Sequence, residues 1–395
     1  MSRDTATAPW AASHVAGPTA STPSSLRTRF ASLLDGSGIA LDGPHPWDIR
    51  VRDERFFARV LLHGSLGLGE AYMDGFWDCD RLDELVCRAL RAGLQLRIRR
   101  PAMLRWLTSA LASPGRRSRA FEIGERHYDI GNDLYERMLD RRMIYSCALW
   151  SGGARSLDEA QEAKLDLICR KVHLRPGMRL LDVGCGWGGL AVFAAERFGV
   201  SVVGITVSRE QVELARRRAA GLPVEIRFQD YRDLATLDDR FDAVVSVGMF
   251  EHVGARYYAP FMDVVRRCLE PDGLFLLHTI GSGTTCPEVD PWIEKHVFPN
   301  SCVPSMRQIA AAAEERFVVE DWQNLGANYD PTLMAWCANV SARWRELAPR
   351  YGERFRRLWT YYLLSCAGAF RARHNQLWQI VLSPGGRPGG YAPAR

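Results

Sequence analysis

The sequence predicts an α/β fold, a seven-stranded, mainly parallel, doubly wound sheet, preceded by a smaller and mainly helical N-terminal domain. Three observations lead there. From residue 179 onward short apolar runs alternate with helical patterns, as a chain of strand–helix units requires. One of these runs, Leu180, Leu181 and Val183, passes through the glycine-rich turn Gly184-Cys185-Gly186-Trp187-Gly188-Gly189 into a helical face of Leu190, Ala191, Phe193 and Ala194. Before residue 121 the alternation is missing, and helical periodicity and arginines take its place.

Residues 1–22 are rich in Ala, Ser, Thr and Pro without periodicity, and are expected to be disordered. The N-terminal domain is expected over 23–112. It opens with a helix carrying Leu26, Phe30, Leu33 and Leu34, then a short strand at Ile49 and Val51, then a helix with Phe56, Phe57, Val60, Leu61 and Leu62. The glycine-punctuated segment Gly64–Trp77 reads either as a tight loop packed on itself or as a surface that touches lipid. Between Leu85 and Phe121 no acidic residue occurs, while Arg88, Arg91, Arg97, Arg99, Arg100, Arg105, Arg116, Arg117 and Arg119 do, interleaved with Leu94, Ile98, Leu104 and Trp106. Such a stretch suits an anionic membrane surface. A solvated helix is the plain alternative. Nucleic acid is disfavoured because no nucleic-acid motif and few stacking aromatics accompany the arginines.

A linker is expected at 113–120, around Ser113-Pro114-Gly115, and a catalytic domain over 121–395. Polar and aromatic groups from Glu125 to Tyr135 and from Met143 to Trp150 suggest a lid, followed by a helix from Leu157 to Val172. Strands are expected near 179–183, 201–205, 224–228, 242–247, 273–279, 317–322 and 377–382.

With 395 residues there is chain enough for two domains and a sizeable core. No apolar run reaches membrane-spanning length, and the N-terminus lacks a secretory pattern, so a cytoplasmic protein is expected. The ten cysteines are scattered singly, without zinc spacing, and read as reduced thiols; no metal is expected. The net charge of +5 is local to the arginine stretch rather than general.

The turn after residue 183 also satisfies the dinucleotide pattern G-x-G-x-x-G. A dinucleotide site wants an acidic residue about 20 positions on, and the second strand instead runs into Gly204, Ile205 and Thr206. Asp182 inside the turn would repel a pyrophosphate and suits a ligand carrying an ammonium group. The D-x-G-x-G-x-G arrangement resembles the S-adenosylmethionine (AdoMet) loop of class I methyltransferases, which implies a Rossmann-like fold. Around such a donor Thr206, Ser208 and Gln211 are expected to contact the ribose, with Asp230 at the adenine amino group and Tyr231 beside the ring. Glu251 and His278 put ionisable groups at the ends of two apolar strands expected to be near neighbours, a pattern that favours a reaction site over a satisfied core.

Longer motifs carry a more specific resemblance. Gly64–Glu70, His127-Tyr128-Asp129 to Asp133, Tyr145-Ser146-Cys147, Gly184–Gly189, Gly248–Gly254, Leu277–Gly281, Phe298-Pro299-Asn300 and Cys366–Arg371 are similar to the cyclopropane-fatty-acyl-phospholipid synthases. The likeness runs from about Trp47 to about Ser383, and the N-terminal domain sets it nearer the bacterial phospholipid enzymes than the shorter mycolic acid cyclopropane synthases. It implies methylene transfer from AdoMet to cis double bonds of membrane phospholipid acyl chains, with bicarbonate as general base held by Cys147, Glu251, His278, the backbone of Ile280, and Tyr329. It implies a homodimer peripheral to the inner face of the cell membrane. Tyr145, Ser146, Gly184, Cys185, Gly186, Gly188 and Gln229 join the expected donor contacts. Cys366 is often marked as the active-site residue of the family. The chemistry needs no thiol nucleophile, so packing or a substrate channel is its expected role. Asn328 stands where the family commonly has an acidic residue beside the tyrosine. The competing readings are a methyl- or methylene-branched product and a non-catalytic AdoMet- or lipid-binding module.

Overall fold

The computed structural model describes residues 25–97, 130–236, 238–285 and 289–395. The expected disordered terminus, most of the arginine stretch, the linker and the motif His127-Tyr128-Asp129 lie outside them.

A small ribbon pairs β1 (Arg50–Val51) with β2 (Trp77–Asp78). The main sheet contains β3 (Arg179–Val183), β4 (Ser201–Thr206), β5 (Val224–Phe228), β6 (Phe241–Val247), β7 (Leu269–Ser282), β8 (Val318–Asn324) and β9 (Asn375–Ser383), in the order β5-β4-β3-β6-β7-β9-β8. The first five are parallel, and β9 runs antiparallel between β7 and β8. Strands β4 and β5 are added on one side of β3 and β6 and β7 on the other, so the order of strands switches between β3 and β6 and a crevice opens at the carboxyl end of β3.

Side chains alternate across each strand, and the two faces fill separate cores. Leu181, Val183, Val244 and Phe275 face the helices Tyr258–Cys268 and Met306–Ala313. Leu180, Ala243, Val245, Leu274 and Leu276 face the helices Leu157–Lys171 and Gly189–Phe198. By the same alternation Asp182 and His278 point to this second face, toward the helix Leu157–Lys171. That parity decides the electrostatics of the site.

A third core joins the N-terminal helices Ser25–Leu33, Arg55–Met73 and Leu82–Arg91 to the helices Asn132–Met138, Pro291–His296, Tyr329–Ala342 and Trp344–Arg371. The glycine-punctuated segment is not a loop. The helix Arg55–Met73 runs through it, kinked at Gly64 (φ 58°). Helical glycines are unfavourable, and close packing offsets that here: a Cβ on Gly69 would lie 2.4 Å from Trp292 Cδ1, and the Trp292 ring also packs edge-on to Tyr361. Glu70 then takes Lys295 Nζ at 2.6 Å and His296 Nε2 at 3.1 Å. On the other side Arg371 bridges Asp330 and Asp83, at 2.9 and 2.6 Å.

The helices Trp344–Arg371 and Leu82–Arg91 approach backbone to backbone at Gly368, where a Cβ would sit 2.4 Å from the carbonyl oxygen of Asp83. Gly368→Ala is therefore expected to destabilise the protein by about 1–3 kcal/mol. The effect should read as a lowered urea midpoint at unchanged slope; an unmoved midpoint would mean that the helices separate freely.

Candidate active site

The crevice at β3 becomes a cavity because the turn after Val183 needs three left-handed glycines, Gly184 (φ 86°), Gly186 (φ 56°) and Gly188 (φ 77°). The turn is pinned to β4 by Gly184 and Cys185, whose N–H groups donate to the Ile205 carbonyl at 3.0 and 2.9 Å. Asp182, Gly184, Cys185 and Gly186 line one wall, Thr206 and Gln211 a second, Gln229, Asp230 and Tyr231 a third, and Tyr145 and Ser146 close it from the lid segment. Gly188 and Ser208 do not line it. Gly188 precedes the helix Gly189–Phe198 and faces Ala215, whose Cβ would be 3.2 Å from an added one; Ser208 is an N-cap, its Oγ accepting from Gln211 N at 3.3 Å. Thr206 Oγ1 donates to Gln211 Oε1 at 2.7 Å, so the two expected ribose contacts that reach the cavity are already joined.

The lid segment is held from below by the buried stripe Leu157, Gln161, Lys164, Ile168 and Lys171 of one helix. Gln161 Nε2 donates to the Ser146 carbonyl at 2.8 Å, and Lys164 Nζ donates to Ser146 Oγ at 2.9 Å. Lys164 lines the cavity together with Asp182, whose Oδ2 is buried without a hydrogen-bond partner. Burial pushes the Asp182 carboxyl up to about 7, opposed by Lys164, and pulls the Lys164 ammonium down to about 8.

Beside the cavity lies a second, dry cluster. Cys147 directly follows Ser146, and Glu251 directly precedes His252, another lining residue. Glu251 Oε1 accepts from Ile280 N at 2.6 Å, and its Oε2 is buried and unpartnered. Burial raises this carboxyl to about 7. Tyr329 stacks on Phe370 (centroids 4.4 Å, 18°). Its phenol is held protonated first by burial and then by Cys147, Glu251, Tyr145 and Cys366 around it. Cys147 and Cys366 are both pushed up to about 12 by burial and stay thiols. His278 pairs across the sheet with Val247 of β6; its Nδ1 meets Gln379 Nε2 at 3.2 Å and its Nε2 is unpartnered. Burial, then Lys164 and Lys171, keep the ring neutral. With Gln379 donating to Nδ1, the ring proton sits on Nε2, where it can be donated.

Two expectations change in detail. The Ile280 N–H is already engaged with Glu251, so it orients the carboxylate instead of standing open to an anion. Asn328 does more than remove a charge: its Oδ1 accepts from Trp150 N and Ser151 N at 2.8 and 3.2 Å and fixes the end of the lid segment. Sequence reasoning missed Lys164 and Arg232 on the cavity wall, whereas Trp187, Met249 and His252 fall inside the strand-end stretches it had selected. For Lys164 a signal existed, since Gln161, Lys164 and Lys171 fall on the apolar stripe of their helix at 3- and 7-residue spacing.

Glu251 provides a pH test. Its native pKa of about 7 stands above the ordinary 4.5, so its contribution to stability is full below about 4.5 and is lost as pH rises through 7. Relative to Glu251→Gln, the wild type is expected to lose roughly 3 kcal/mol of unfolding free energy between about pH 4 and about pH 8. Urea unfolding of both proteins at the two pH values checks this, and parallel profiles would refute the burial of an ionisable carboxyl there.

The profile of the mycolic acid cyclopropane synthetase family matches residues 116–380. The cyclopropane-fatty-acyl-phospholipid synthase of Escherichia coli (strain K12) is 56% identical over 355 residues, covering 89% of this chain and 92% of that protein. A probable fatty acid methyltransferase of Pseudomonas putida is 40% identical over 269 residues, 65% of this chain and 67% of that one. Among solved structures, a cyclopropane synthase from Mycobacterium tuberculosis aligns with a TM-score of 0.62 at 30% identity, over 66% of this chain and 97% of its own. A mycolic acid cyclopropane synthase complexed with SAH and CTAB gives a TM-score of 0.62 at 32% identity, with the same coverage. The chain belongs to the mycolic acid cyclopropane synthetase family.

Proposed function

We propose that the chain transfers a methylene group from AdoMet to the cis double bond of unsaturated acyl chains in membrane phospholipids, forming a cyclopropane ring. The observation that carries this reading is the contact between two unlike compartments. One is a cavity headed by a glycine turn and a buried carboxylate; the other is the buried group of Glu251, Tyr329, Cys147 and Cys366, in which Glu251 Oε2 lacks a partner. The identity to the Escherichia coli enzyme, which extends through the N-terminal helices, supports the phospholipid as substrate.

The donor supplies an electrophilic methyl group, the alkene supplies the electron pair, and ring closure removes one proton from that methyl group. Exclusion of water keeps the alkene the only nucleophile in reach. Bicarbonate fits the cluster as the base. A protonated Glu251 and the Nε2–H of a neutral His278 are both donors, and the phenol of Tyr329 adds a third, while the Cys147 thiol, which donates to the Ala148 carbonyl at 3.3 Å, would have to turn to add a fourth. When bound there, bicarbonate would take the proton. Ile280 N acts on Glu251, and the ring of Tyr329 offers a π face to developing positive charge. Cys366, a protonated thiol, packs the wall.

The donor contacts in this reading are the cavity residues Tyr145, Ser146, Asp182, Gly184, Cys185, Gly186, Thr206, Gln211, Gln229, Asp230 and Tyr231, with Gly188 and Ser208 shaping the turn and helix behind them. The finer parts, a homodimer and a peripheral place on the inner face of the cell membrane, rest on the family resemblance. No described helix is long and apolar enough to cross a membrane. Of the clustered arginines, Arg88 stacks on Trp47, Arg91 reaches the Arg371 carbonyl, and Arg97 holds those of Leu33 and Asp35. The anionic-surface reading stays with the stretch as a whole, of which Arg99, Arg100, Arg105, Arg116, Arg117 and Arg119 lie outside the described residues.

Purified protein with AdoMet and vesicles of unsaturated phospholipid is expected to yield lipid with upfield cyclopropane protons in the NMR spectrum. A mass gain without them would mean a branched product, and no gain would sink the enzyme reading. Glu251→Gln should lower turnover by about 10²-fold or more with donor affinity kept. Vesicle binding should weaken with salt and with removal of anionic lipid; indifference to both would remove the arginines from membrane contact.

A further inference from the structure

We propose that Lys164 and Asp182 form a two-charge clasp for the amino-acid end of the methyl donor, Lys164 holding its carboxylate and Asp182 its ammonium. The inference rests on the donor reading and adds to it the residue that recognises the donor's carboxylate. Both side chains are buried, at 1% and 2% exposure, and both line the cavity. No ion pair joins them, although each feels the other's charge. Lys164 uses one of its three N–H donors, on Ser146 Oγ, and Asp182 Oδ2 has no partner.

Two opposite buried charges that share a cavity without touching are complementary to a zwitterion. A purely cationic ligand would not suit the site, because a buried ammonium beside a sulfonium raises the energy of both. A carboxylate set between them removes that conflict, and Ser146 Oγ is placed to share it. The other groups that face Lys164 do not require it as a counter-charge. The Asp140 carboxylate already accepts from Arg142 N and Ile144 N at 2.9 and 2.8 Å, Cys147 is a thiol, and His278 is neutral. Its backbone position is fixed by the buried stripe, and Gln161 holds the carbonyl of the same Ser146.

Calorimetry on the full chain distinguishes recognition from packing through a ligand set that differs in the amino-acid end: S-adenosylhomocysteine, its decarboxylated analogue, and 5′-methylthioadenosine. Wild type is expected to bind S-adenosylhomocysteine at least tenfold tighter than the decarboxylated analogue. Lys164→Met should abolish that preference while changing methylthioadenosine affinity by less than twofold. Equal weakening of all three ligands in the variant, or a preference that survives it, overturns the clasp. Lys164→Gln serves if the Met variant does not fold, and a wild type indifferent to the carboxylate overturns the inference without any variant. If wild type binds none of the three, nor AdoMet, the donor reading itself falls and takes the clasp with it.

Discussion

The site depends on one buried helix face that is not apolar. On the helix Leu157–Lys171 the inward stripe carries Gln161, Lys164 and Lys171 among Leu157 and Ile168. Buried amide and ammonium groups are costly unless partners meet them, and the partners of Gln161 and Lys164 are pieces of the site. Gln161 and Lys164 hold the backbone and hydroxyl of Ser146; Lys171 lies 3.4 Å from Asp321 on β8. The helix thereby sets the position of Tyr145-Ser146-Cys147, which divides the donor cavity from the cluster around Glu251.

Burial then assigns each acid and base its form. Glu251 and His278 reach the interior from the ends of adjacent parallel strands, and desolvation favours the neutral state of both. Neutral groups with proton donors are what an anion needs in a place that excludes water. The thiols of Cys147 and Cys366 are kept from ionising by the same dryness, which removes nucleophilic sulfur from the chemistry. Positive charge enters through Lys164 and Lys171 alone on this face of the sheet among the causes that act on His278.

The N-terminal helices are part of the same problem. They share a core with the helices that carry Tyr329, Tyr362 and Cys366, and Gly69 and Gly368 are points where these helices approach closely. Arg371 ties the two regions at one point, joining Asp83 of the N-terminal part to Asp330, the neighbour of Tyr329. Cation–π stacking of Arg357 on Tyr72, 4.1 Å from the ring centroid, closes the far end of the same seam.

Strand–helix alternation, the glycine turn and the placement of Asp182, Glu251 and His278 at strand ends were legible in the sequence because each depends on local periodicity and local backbone requirements. All seven strands of the sheet follow from that pattern, to within a few residues at their ends. The segment Gly64–Trp77 was not legible: glycines argue against a helix locally, and only the long-range contact with Trp292 makes them favourable. Lys164 was visible as a polar residue on an apolar stripe, but its importance lies in which strand that stripe meets. The sequence by itself determined the layers, the order of elements and the residue types available for chemistry. Tertiary structure alone decided that Asp182, His278 and Lys164 meet on one face of the sheet and that Ile280 serves Glu251. These depend on strand register and helix rotation, which distant parts of the chain fix by packing.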